Sequence, residues 1–505
     1  MMIQLDGNSL TLDDLATIAF ERMPVSLTVD ARTRVSAART VVDAFAAGDQ
    51  PVYGINTGFG NFAEVRIPTE SLSELQVNLL RSHAAGVGDP LPAPVVRATM
   101  ALRANVLAKG FSGIRLETLD RLIDLLNHEV HPVVPSRGSV GASGDLAPLA
   151  HLALVLIGEG EAWHNDQRLP GVDALERAGL APVALAPKEG LALINGTQPS
   201  TAVLGLALHS ALRLVRAADI TAAMSIDGLQ GSTRPFDLRI HAARGMTGQS
   251  LSADNLRRLM EGSAINAAHA NCGRVQDAYS MRCAPQVHGT ARDAVQFALQ
   301  AFLAEANAAT DNPMVFTDTA EIVSGGNFHG APIALASDVL TIGLTQLATI
   351  SERRSDRLVN PASSGLPAFL TRTGGLQSGL MMAQVTAAAL TSELKTLAHP
   401  ASVDTIPTSG NKEDHVSMSM AAALKADRAV ALTRDVLAIE MLCACQAIDL
   451  LDGLATSAPL ARVHALVRRH VPTLGSDRPP SRDIREISRL LESGDLDRAC
   501  AMKVN

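Results

Sequence analysis

The tripeptide Ala142-Ser143-Gly144 could build a reactive group from the chain itself. Glycines on either side favour a loop, because glycine loses the most backbone entropy on ordering. Without a Cβ on Gly144, its amide nitrogen could reach the carbonyl carbon of Ala142. Ring closure and the loss of two waters, one carrying the Ser143 hydroxyl, would leave a five-membered ring with an exposed methylidene carbon. The alternative is a plain glycine loop in which Ser143 or Asp145 caps the helix that begins near Leu146.

The chain has only two tyrosines, Tyr53 and Tyr279, and neither falls in a regular helical stripe. Tyr53 lies in a loop with three glycines, and Tyr279 lies in a polar stretch that also holds Arg282. A phenol with a lowered pKa can act as a general base, and a guanidinium fork suits a carboxylate. The alternatives are two core tyrosines and a surface ion pair.

Four further residues interrupt apolar sequence beside predicted helix ends. Asn195 and Phe328 lie in glycine-containing loops ahead of long helices, Glu413 precedes the longest predicted helix, and His83 ends a helix. The structural alternatives are helix capping for the amide, a core position for the aromatic ring, and interaction with a helix dipole for the acid and the imidazole.

These residues must be positioned by helices, because the 505-residue chain is 47% hydrophobic but only 3% aromatic. A net charge of -8 without a basic run argues against a nucleic-acid partner. Five cysteines without metal-ligand spacing indicate free thiols in a reducing compartment. We expect a cytoplasmic protein, since neither a signal peptide nor a membrane-spanning run is evident.

Hydrophobic periodicity predicts helices separated by glycine and proline loops. In the first part of the chain they cover 11–21 and 28–47, with Asp13 and Asp30 as caps, then 69–82, 93–109 and 116–129. Residues 160–190 predict a hairpin or loop excursion, and 475–485 a loop before a short C-terminal helix. The long helices are expected at roughly 200–225, 286–308, 332–354, 376–396 and 416–452. We therefore predict an N-terminal lobe over 1–199, with the Tyr53 and tripeptide loops, and a long-helix bundle with C-terminal helices over 200–505.

These motifs resemble those of the aromatic amino acid lyase family, whose electrophile, 4-methylidene-imidazol-5-one (MIO), forms from Ala-Ser-Gly. The similarity runs from about Tyr53 to beyond His415, through at least six segments in family order, among them Gly138–Leu149, Lys188–Gln198 and Ser402–Met418. It implies a mainly α, fumarase/aspartase-like fold, with an N-terminal lobe carrying the MIO loop and a central bundle of long, near-parallel helices. It also implies an amino acid substrate, no metal or nucleotide, and a homotetramer whose subunits share sites.

The resemblance implies two groups of site residues. The catalytic group is Tyr53, Ala142, Ser143, Gly144, Asn195 and Tyr279. The substrate-binding group is His83, Gln276, Arg282, Phe328 and Glu413. Tyr53 would remove a β-proton, and Asn195 and Tyr279 would lie against the MIO and the amino group. Arg282 would bind the substrate carboxylate with Gln276 nearby.

The substrate implied is L-histidine, deaminated to trans-urocanate and ammonia. Ser82-His83 and Glu413 resemble the histidine-specific members, and a pocket with such polar partners would reject apolar rings. Phe328 would pack beside the prosthetic ring. Lys412 stands where glutamine is usual, which leaves a modified histidine as an alternative substrate. Further alternatives are a tyrosine or phenylalanine ammonia-lyase, a 2,3-aminomutase, and a non-catalytic scaffold.

Overall fold

The structure, a computed structural model, describes Asn61 by its backbone alone and every other residue except Met1, Ala63, Asn271, Cys272, Arg274 and Asp452. The described residues form twenty-one α-helices and nine short strands, so the predicted mainly α-helical class is confirmed. They fold as two compact units. The first comprises Met1–His209, Leu299–Asp338 and Pro400–Leu424; the second comprises Ser210–Ala298, Val339–His399 and Lys425–Asn505.

The first unit contains the described strands and the shorter N-terminal helices. The helices are α1 (Leu12–Phe20), α2 (Val29–Ala47), α3 (Leu72–His83), α4 (Ala93–Ala108), α5 (Leu116–Asn127), α6 (Leu146–Leu156), α7 (Gly171–Arg177) and α8 (Glu189–Ile194). The strands are β1 (Ile3–Leu5), β2 (Val25–Leu27), β3 (Val87–Pro90), β4 (His131–Pro132), β5 (Pro135–Arg137), β6 (Glu161–His164), β7 (Gln167–Pro170), β8 (Met314–Phe316) and β9 (Glu321–Val323). β1 and β2 pair in parallel, whereas β3 with β5, β6 with both β4 and β7, and β8 with β9 pair antiparallel.

The first two helices begin at threonines rather than at the expected caps Asp13 and Asp30. The Thr11 hydroxyl oxygen accepts a bond from the Asp14 amide at 3.1 Å, and the Asp14 carboxylate accepts one from the Thr11 amide at 3.1 Å. Thr28 caps α2 through a bond of 3.2 Å. The expected aspartates lie in the first turns, where negative charge interacts favourably with the helix dipole.

α4 is a core helix of the first unit, because every residue from Val96 to Ala108 is buried. It contacts α1, α2 and α5. A helix that is enclosed on all sides is normally apolar throughout. This one carries two buried arginines, Arg97 and Arg103, which must find partners inside the fold.

The remaining helices include the long ones expected from the sequence. They are α9 (Gln198–Gly228), α10 (Leu238–Arg244), α11 (Thr247–Leu259), α12 (Ala264–Ala268), α13 (Tyr279–Arg282), α14 (Ala284–Ala306), α15 (Ala331–Val359), α16 (Pro361–Ser364), α17 (Met381–Leu397), α18 (Ser419–Asp449), α19 (Ala458–His470), α20 (Pro480–Ser493) and α21 (Asp495–Cys500). Four boundaries between the units fall within α9, α14, α15 and α18, and the fifth falls between His399 and Pro400, after α17.

Two differences from the predicted elements have physical reasons. α18 begins at Ser419 rather than 416, because Met418 has a φ of +57° and donates its amide to Val140 O at 2.8 Å. α20 begins inside the predicted 475–485 loop, because Pro480 occupies the first helical position, where its missing N–H is not needed. α19 was not predicted. The hairpin expected within 160–190 is confirmed as β6 and β7.

Two helices, α9 and α15, are long and apolar enough to cross a membrane by length and composition. In each, however, 72% of the apolar window is buried within the protein, as in a core helix. The four described cysteines, Cys283, Cys443, Cys445 and Cys500, are free. Cys272, also expected to be a free thiol, lies outside the described residues.

Candidate active site

The tripeptide lies in a loop, the tripeptide loop (Gly138–Asp145), between β5 and α6. Gly141 and Gly144 adopt φ angles of +68° and +73°, which favour glycine. A Cβ on Gly144 would also overlap the Gly196 carbonyl oxygen, and one on Gly141 would overlap the Ser417 hydroxyl. The loop therefore packs closely against the segments that hold Gly196 and Ser417.

Two segments distant in sequence tether the tripeptide loop. Gly144 forms a bridge with Gly196, and the Asp145 amide donates to Gly196 O at 2.8 Å. On the other side, the Ser417 hydroxyl donates to Gly141 O at 2.9 Å. These bonds hold the loop from both ends of the tripeptide.

Asp145 binds within the loop instead of capping α6 with its side chain. Neither Asp145 nor Ser143 makes a side-chain cap bond to that helix. The Asp145 carboxylate accepts bonds from the Ser139 hydroxyl at 2.5 Å and from the Ser200 amide at 2.8 Å. Burial raises the pKa of Asp145, although these bonds oppose the rise.

The Ser143 hydroxyl donates a bond of 2.6 Å to Oε1 of Glu413. The other carboxylate oxygen accepts bonds from the hydroxyls of Thr408 at 2.6 Å and Ser409 at 2.9 Å. Burial acts to raise the pKa of Glu413, but the three hydroxyl donors and the charge of His83 outweigh it, so that the pKa is lowered. Glu413 is a carboxylate at neutral pH.

Asn195 contacts the tripeptide from the opposite segment. Its amide Nδ2 donates to the Ser143 carbonyl oxygen at 3.3 Å. The residue is only 4% exposed, and its Oδ1 has no hydrogen-bond partner among the described groups. A buried acceptor of this kind is costly unless something donates to it, and a ligand N–H would do so.

A cavity of about 380 Å³ opens in front of the tripeptide, within the size range of small-molecule sites. Seven of the predicted site residues line it, namely Tyr53, His83, Ala142, Ser143, Asn195, Phe328 and Glu413. Gly144 is not a lining residue but is covalently next to Ser143. The structure thus gathers eight predicted residues, all from the first unit, around one cavity.

Tyr53 and His83 have different environments in this cavity. Burial raises the pKa of Tyr53, a bond involving the Gly60 backbone opposes this, and the negative charge of Glu413 adds to the rise. The pKa of Tyr53 is therefore raised in the uncyclised chain, whereas a general base is favoured by a lowered one. His83 ends α3, and its Nδ1 bonds Leu79 O at 2.9 Å, which fixes the imidazole ring.

Two histidines that were not predicted as site residues, His329 and His415, also line the cavity. Their rings are stacked, with centroids 5.8 Å apart and planes 6° apart, and His329 Nε2 lies 3.1 Å from His415 O. Each adjoins a motif that was noticed, since Phe328 and Glu413-Asp414 precede them. Lys412 also lines the cavity, so its wall carries a cation beside Glu413.

The other three predicted residues, Gln276, Tyr279 and Arg282, belong to the second unit and are not among the lining residues of this cavity. Tyr279 is 70% exposed, and the Arg282 guanidinium lies 4.6 Å from the centroid of its ring. The Arg354 guanidinium, which pairs with buried Glu440, donates to Ser280 O at 3.3 Å and so anchors α13.

The arrangement fits an internally formed electrophile. The tripeptide borders the cavity, which has room for a compact ring, and Asn195 Oδ1 is an acceptor without a partner among the described groups. Among the described residues, no group of three or more His, Cys, Asp or Glu side chains could hold a metal ion.

Comparison with known proteins identifies relatives along nearly the whole chain. Histidine ammonia-lyase of Anaeromyxobacter sp. (strain K) is 57% identical over 502 residues, which cover 98% of this chain and 99% of the relative. The crystal structure of histidine ammonia-lyase from Trypanosoma cruzi is 45% identical, with a TM-score of 0.93, and the match covers 99% of this chain and 95% of that one. Tyrosine aminomutase from Streptomyces globisporus is 37% identical, with a TM-score of 0.95, and each chain is covered in full.

The predicted fold is confirmed by these structural matches. The family model described as aromatic amino acid lyase matches residues 10–469. The chain belongs to the aromatic amino acid lyase family.

Proposed function

We propose that this protein is a carbon–nitrogen lyase that eliminates ammonia from L-histidine to give trans-urocanate. The observation that carries the proposal is the contact of Ser143 with both Glu413 and Asn195 at the wall of one cavity. It places a reactive tripeptide, an acid suited to an imidazole and an unpartnered amide acceptor around the same small space. The 57% identity to a histidine ammonia-lyase supports the same substrate.

The prosthetic group of this reaction is MIO, formed from Ala142-Ser143-Gly144. Asn195 would hold it through the Ser143 carbonyl oxygen, and Gly196 would hold the neighbouring backbone. Phe328 would pack beside it. When formed, the group supplies an electrophilic carbon that bonds the substrate amine and makes it a better leaving group.

Tyr53 would accept the β-proton of the substrate. In the uncyclised chain it is a protonated phenol, because burial and the charge of Glu413 raise its pKa. It therefore needs positive charge nearby to act as a base, and Lys412 and the ammonium group of the substrate would favour the phenolate.

Histidine is favoured over an apolar aromatic substrate by the charge of the wall. Glu413 remains a carboxylate and can accept an imidazole N–H, while His83 supplies a second polar partner. A phenyl ring would leave these groups unpaired.

The structural match to tyrosine aminomutase keeps tyrosine or phenylalanine elimination, or 2,3-amino migration, as the second candidate. The cation of Lys412 keeps a modified histidine as another candidate substrate. The intact tripeptide argues against a non-catalytic scaffold.

We also propose a cytoplasmic homotetramer in which the second unit of one subunit completes the cavity of another. Gln276, Tyr279 and Arg282 would then reach the substrate, with Arg282 binding its carboxylate and Tyr279 lying near the amine. Support comes from the exposure of Tyr279 at 70% with Arg282 stacked on it, since exposed Tyr and Arg are common anchors of interfaces.

The test is a substrate panel with an intact-mass measurement. The purified protein is incubated with histidine, tyrosine, phenylalanine and an N-methylated histidine, and the product is followed by its absorbance. We expect turnover of histidine above the others and a protein mass lower by two waters than the sequence requires. Inactivity on histidine would refute the substrate, and an unshifted mass would refute the electrophile.

A further inference from the structure

We infer that Arg103, a fully buried residue of α4, is the positioning residue that holds Asn195 and Gly196 against the tripeptide. This inference rests on the proposed function. Arg103 makes no contact with the substrate. Its role is to keep the tripeptide in a geometry that can cyclise.

The partners of Arg103 all belong to the segment that ends α8 and begins α9. Its Nη1 donates to Asn195 O at 2.8 Å and to the Gln198 side-chain oxygen at 2.7 Å, and its Nη2 donates to Ala192 O. The planar guanidinium therefore spans the break between two helices. Since carbonyls at a helix C-terminus carry partial negative charge, the end of α8 suits a cation.

No carboxylate neutralises Arg103 by direct contact among the described residues. The nearest acid that affects it is Asp311, which is within 3.3 Å of the buried Lys188 ammonium. Burial lowers the pKa of Arg103 to about 10, so it remains charged at neutral pH. Its Nη1 and Nη2 bind carbonyl oxygens, whereas its Nε has no partner among the described groups, so the buried charge depends on these three bonds and the site is intolerant of displacement.

The segment held by Arg103 contacts the tripeptide loop at Ser143, Gly144 and Asp145. Asn195 Nδ2 donates to Ser143 O, and Gly196 O accepts from the Asp145 amide. A Cβ on Gly196 would come within 2.5 Å of Arg103 Nη1, so the guanidinium also requires glycine at this position. Displacing the segment would release this end of the tripeptide loop, while Ser417 would still bind Gly141.

Ring formation joins Gly144 N to the Ala142 carbonyl carbon, and it releases that carbonyl oxygen and the Ser143 hydroxyl as two waters. Both atoms must approach within bonding distance, and displacement by about 1 Å can cost roughly 100-fold in rate. Arg103 acts before substrate is present. Its effect is therefore measurable in the protein itself, apart from turnover.

Arg97 provides a matched control on the same helix. It is 1% exposed, and its guanidinium donates to Ile18 O at 2.9 Å and Leu126 O at 3.0 Å and lies 3.1 Å from His131 Nε2. It touches neither the tripeptide loop nor the 192–198 segment. Lysine at either position keeps the charge and removes the planar fork, so the general cost to folding should be similar.

The experiment compares Arg103→Lys, Arg97→Lys and the unchanged protein by intact mass, kinetics on histidine and thermal unfolding. We expect Arg103→Lys to contain a substantial fraction without the two-water deficit, and to lose about 10- to 100-fold in kcat with KM nearly unchanged. Arg97→Lys should be fully cyclised, with kcat within about threefold of the unchanged protein, even if its melting temperature falls as far as that of Arg103→Lys.

If Arg103→Lys is too unstable, Thr310→Val takes its place. It removes the hydroxyl that accepts from Gln198 Nε2 at 2.7 Å and should give a smaller effect of the same kind.

The inference is overturned if Arg103→Lys, or Thr310→Val in its place, is cyclised and active to the same degree as Arg97→Lys. An unchanged protein without the mass deficit would instead refute the proposed function. The two failures are distinguishable because the first is read in the variants and the second in the parent.

Discussion

The hydroxyl of Ser143 donates to Oε1 of Glu413 across 2.6 Å, although 270 positions separate the two residues in the chain. The other carboxylate oxygen of Glu413 is already occupied by Thr408 and Ser409. If cyclisation removes the Ser143 hydroxyl, Oε1 loses its donor while Oε2 keeps both of its own. The formation of the electrophile would then free the one carboxylate oxygen that a substrate N–H can use.

Replacing Ser143 by alanine should abolish both cyclisation and turnover. The variant has no hydroxyl to lose, so its intact mass should equal the mass its sequence requires. We expect histidine turnover to fall by roughly three orders of magnitude or more, as when the central residue of a catalytic unit is removed. Near-normal kcat in a protein of full mass would contradict the assignment.

Replacing Glu413 by glutamine should impair histidine turnover selectively. The amide keeps the shape but lacks the charge that an imidazole N–H would meet, so kcat/KM for histidine should fall by about 100-fold or more. Asp414→Asn is the matched control, because this neighbouring acid lines the same cavity but is exposed. Equal losses in both variants would show that the total negative charge of the cavity wall, rather than Glu413 itself, governs the rate.

Glu413 should also make the protein sensitive to acid. Since its folded-state pKa is lowered from 4.5, its contribution to stability is present above that value and is lost as pH falls through the lowered pKa. Thermal unfolding between pH 7 and pH 3 is the measurement. The melting temperature of the parent should fall further over this range than that of Glu413→Gln. Parallel curves of melting temperature against pH would contradict the prediction.

Replacing Tyr53 by phenylalanine should lower kcat by about 100- to 10,000-fold, the usual contribution of a general base. The raised pKa of Tyr53 sets the pH dependence, because the phenolate fraction grows as pH rises toward a value above 10.0. In the parent, kcat/KM should therefore increase toward alkaline pH. Tyr53→Phe should lose this alkaline rise, and its persistence would exclude Tyr53 as the base.

The sequence predicts the helical class and the site motifs because both depend on local pattern. Glycine spacing located the tripeptide loop, and apolar periodicity located the long helices. The sequence could not predict contacts that only the tertiary structure creates, such as the stacking of His329 on His415. The raised pKa of Tyr53 was missed for the same reason, since it depends on burial and on Glu413, which is far away in the chain. Helix starts were misassigned where threonine and aspartate compete for the cap, as at Thr11.

Replacing Gly144 by alanine should block cyclisation for a steric reason. The residue combines a positive φ with a Cβ position that overlaps Gly196 O. Gly179 has a φ of +71° but nothing within 4 Å of its Cβ position, so Gly179→Ala measures the backbone cost alone, about 1 kcal/mol. We expect Gly144→Ala to be less stable than this control and to keep the mass of the uncyclised chain. A fully cyclised Gly144→Ala protein would contradict the close packing of these two segments.

Shared sites can be tested by mixing two inactive subunits. Ser143→Ala removes the tripeptide chemistry from the first unit, and Tyr279→Phe removes the exposed phenol from the second. If sites combine residues of different subunits, tetramers that contain both variants hold some sites with both residues intact, and activity should return. Ser143→Ala mixed with Asn195→Ala is the control, because both residues line one cavity of the first unit and no mixed assembly restores them together. Activity is measured on hybrids isolated through two different affinity tags. Inactive hybrids of the first pair would mean that each site is completed within its own chain.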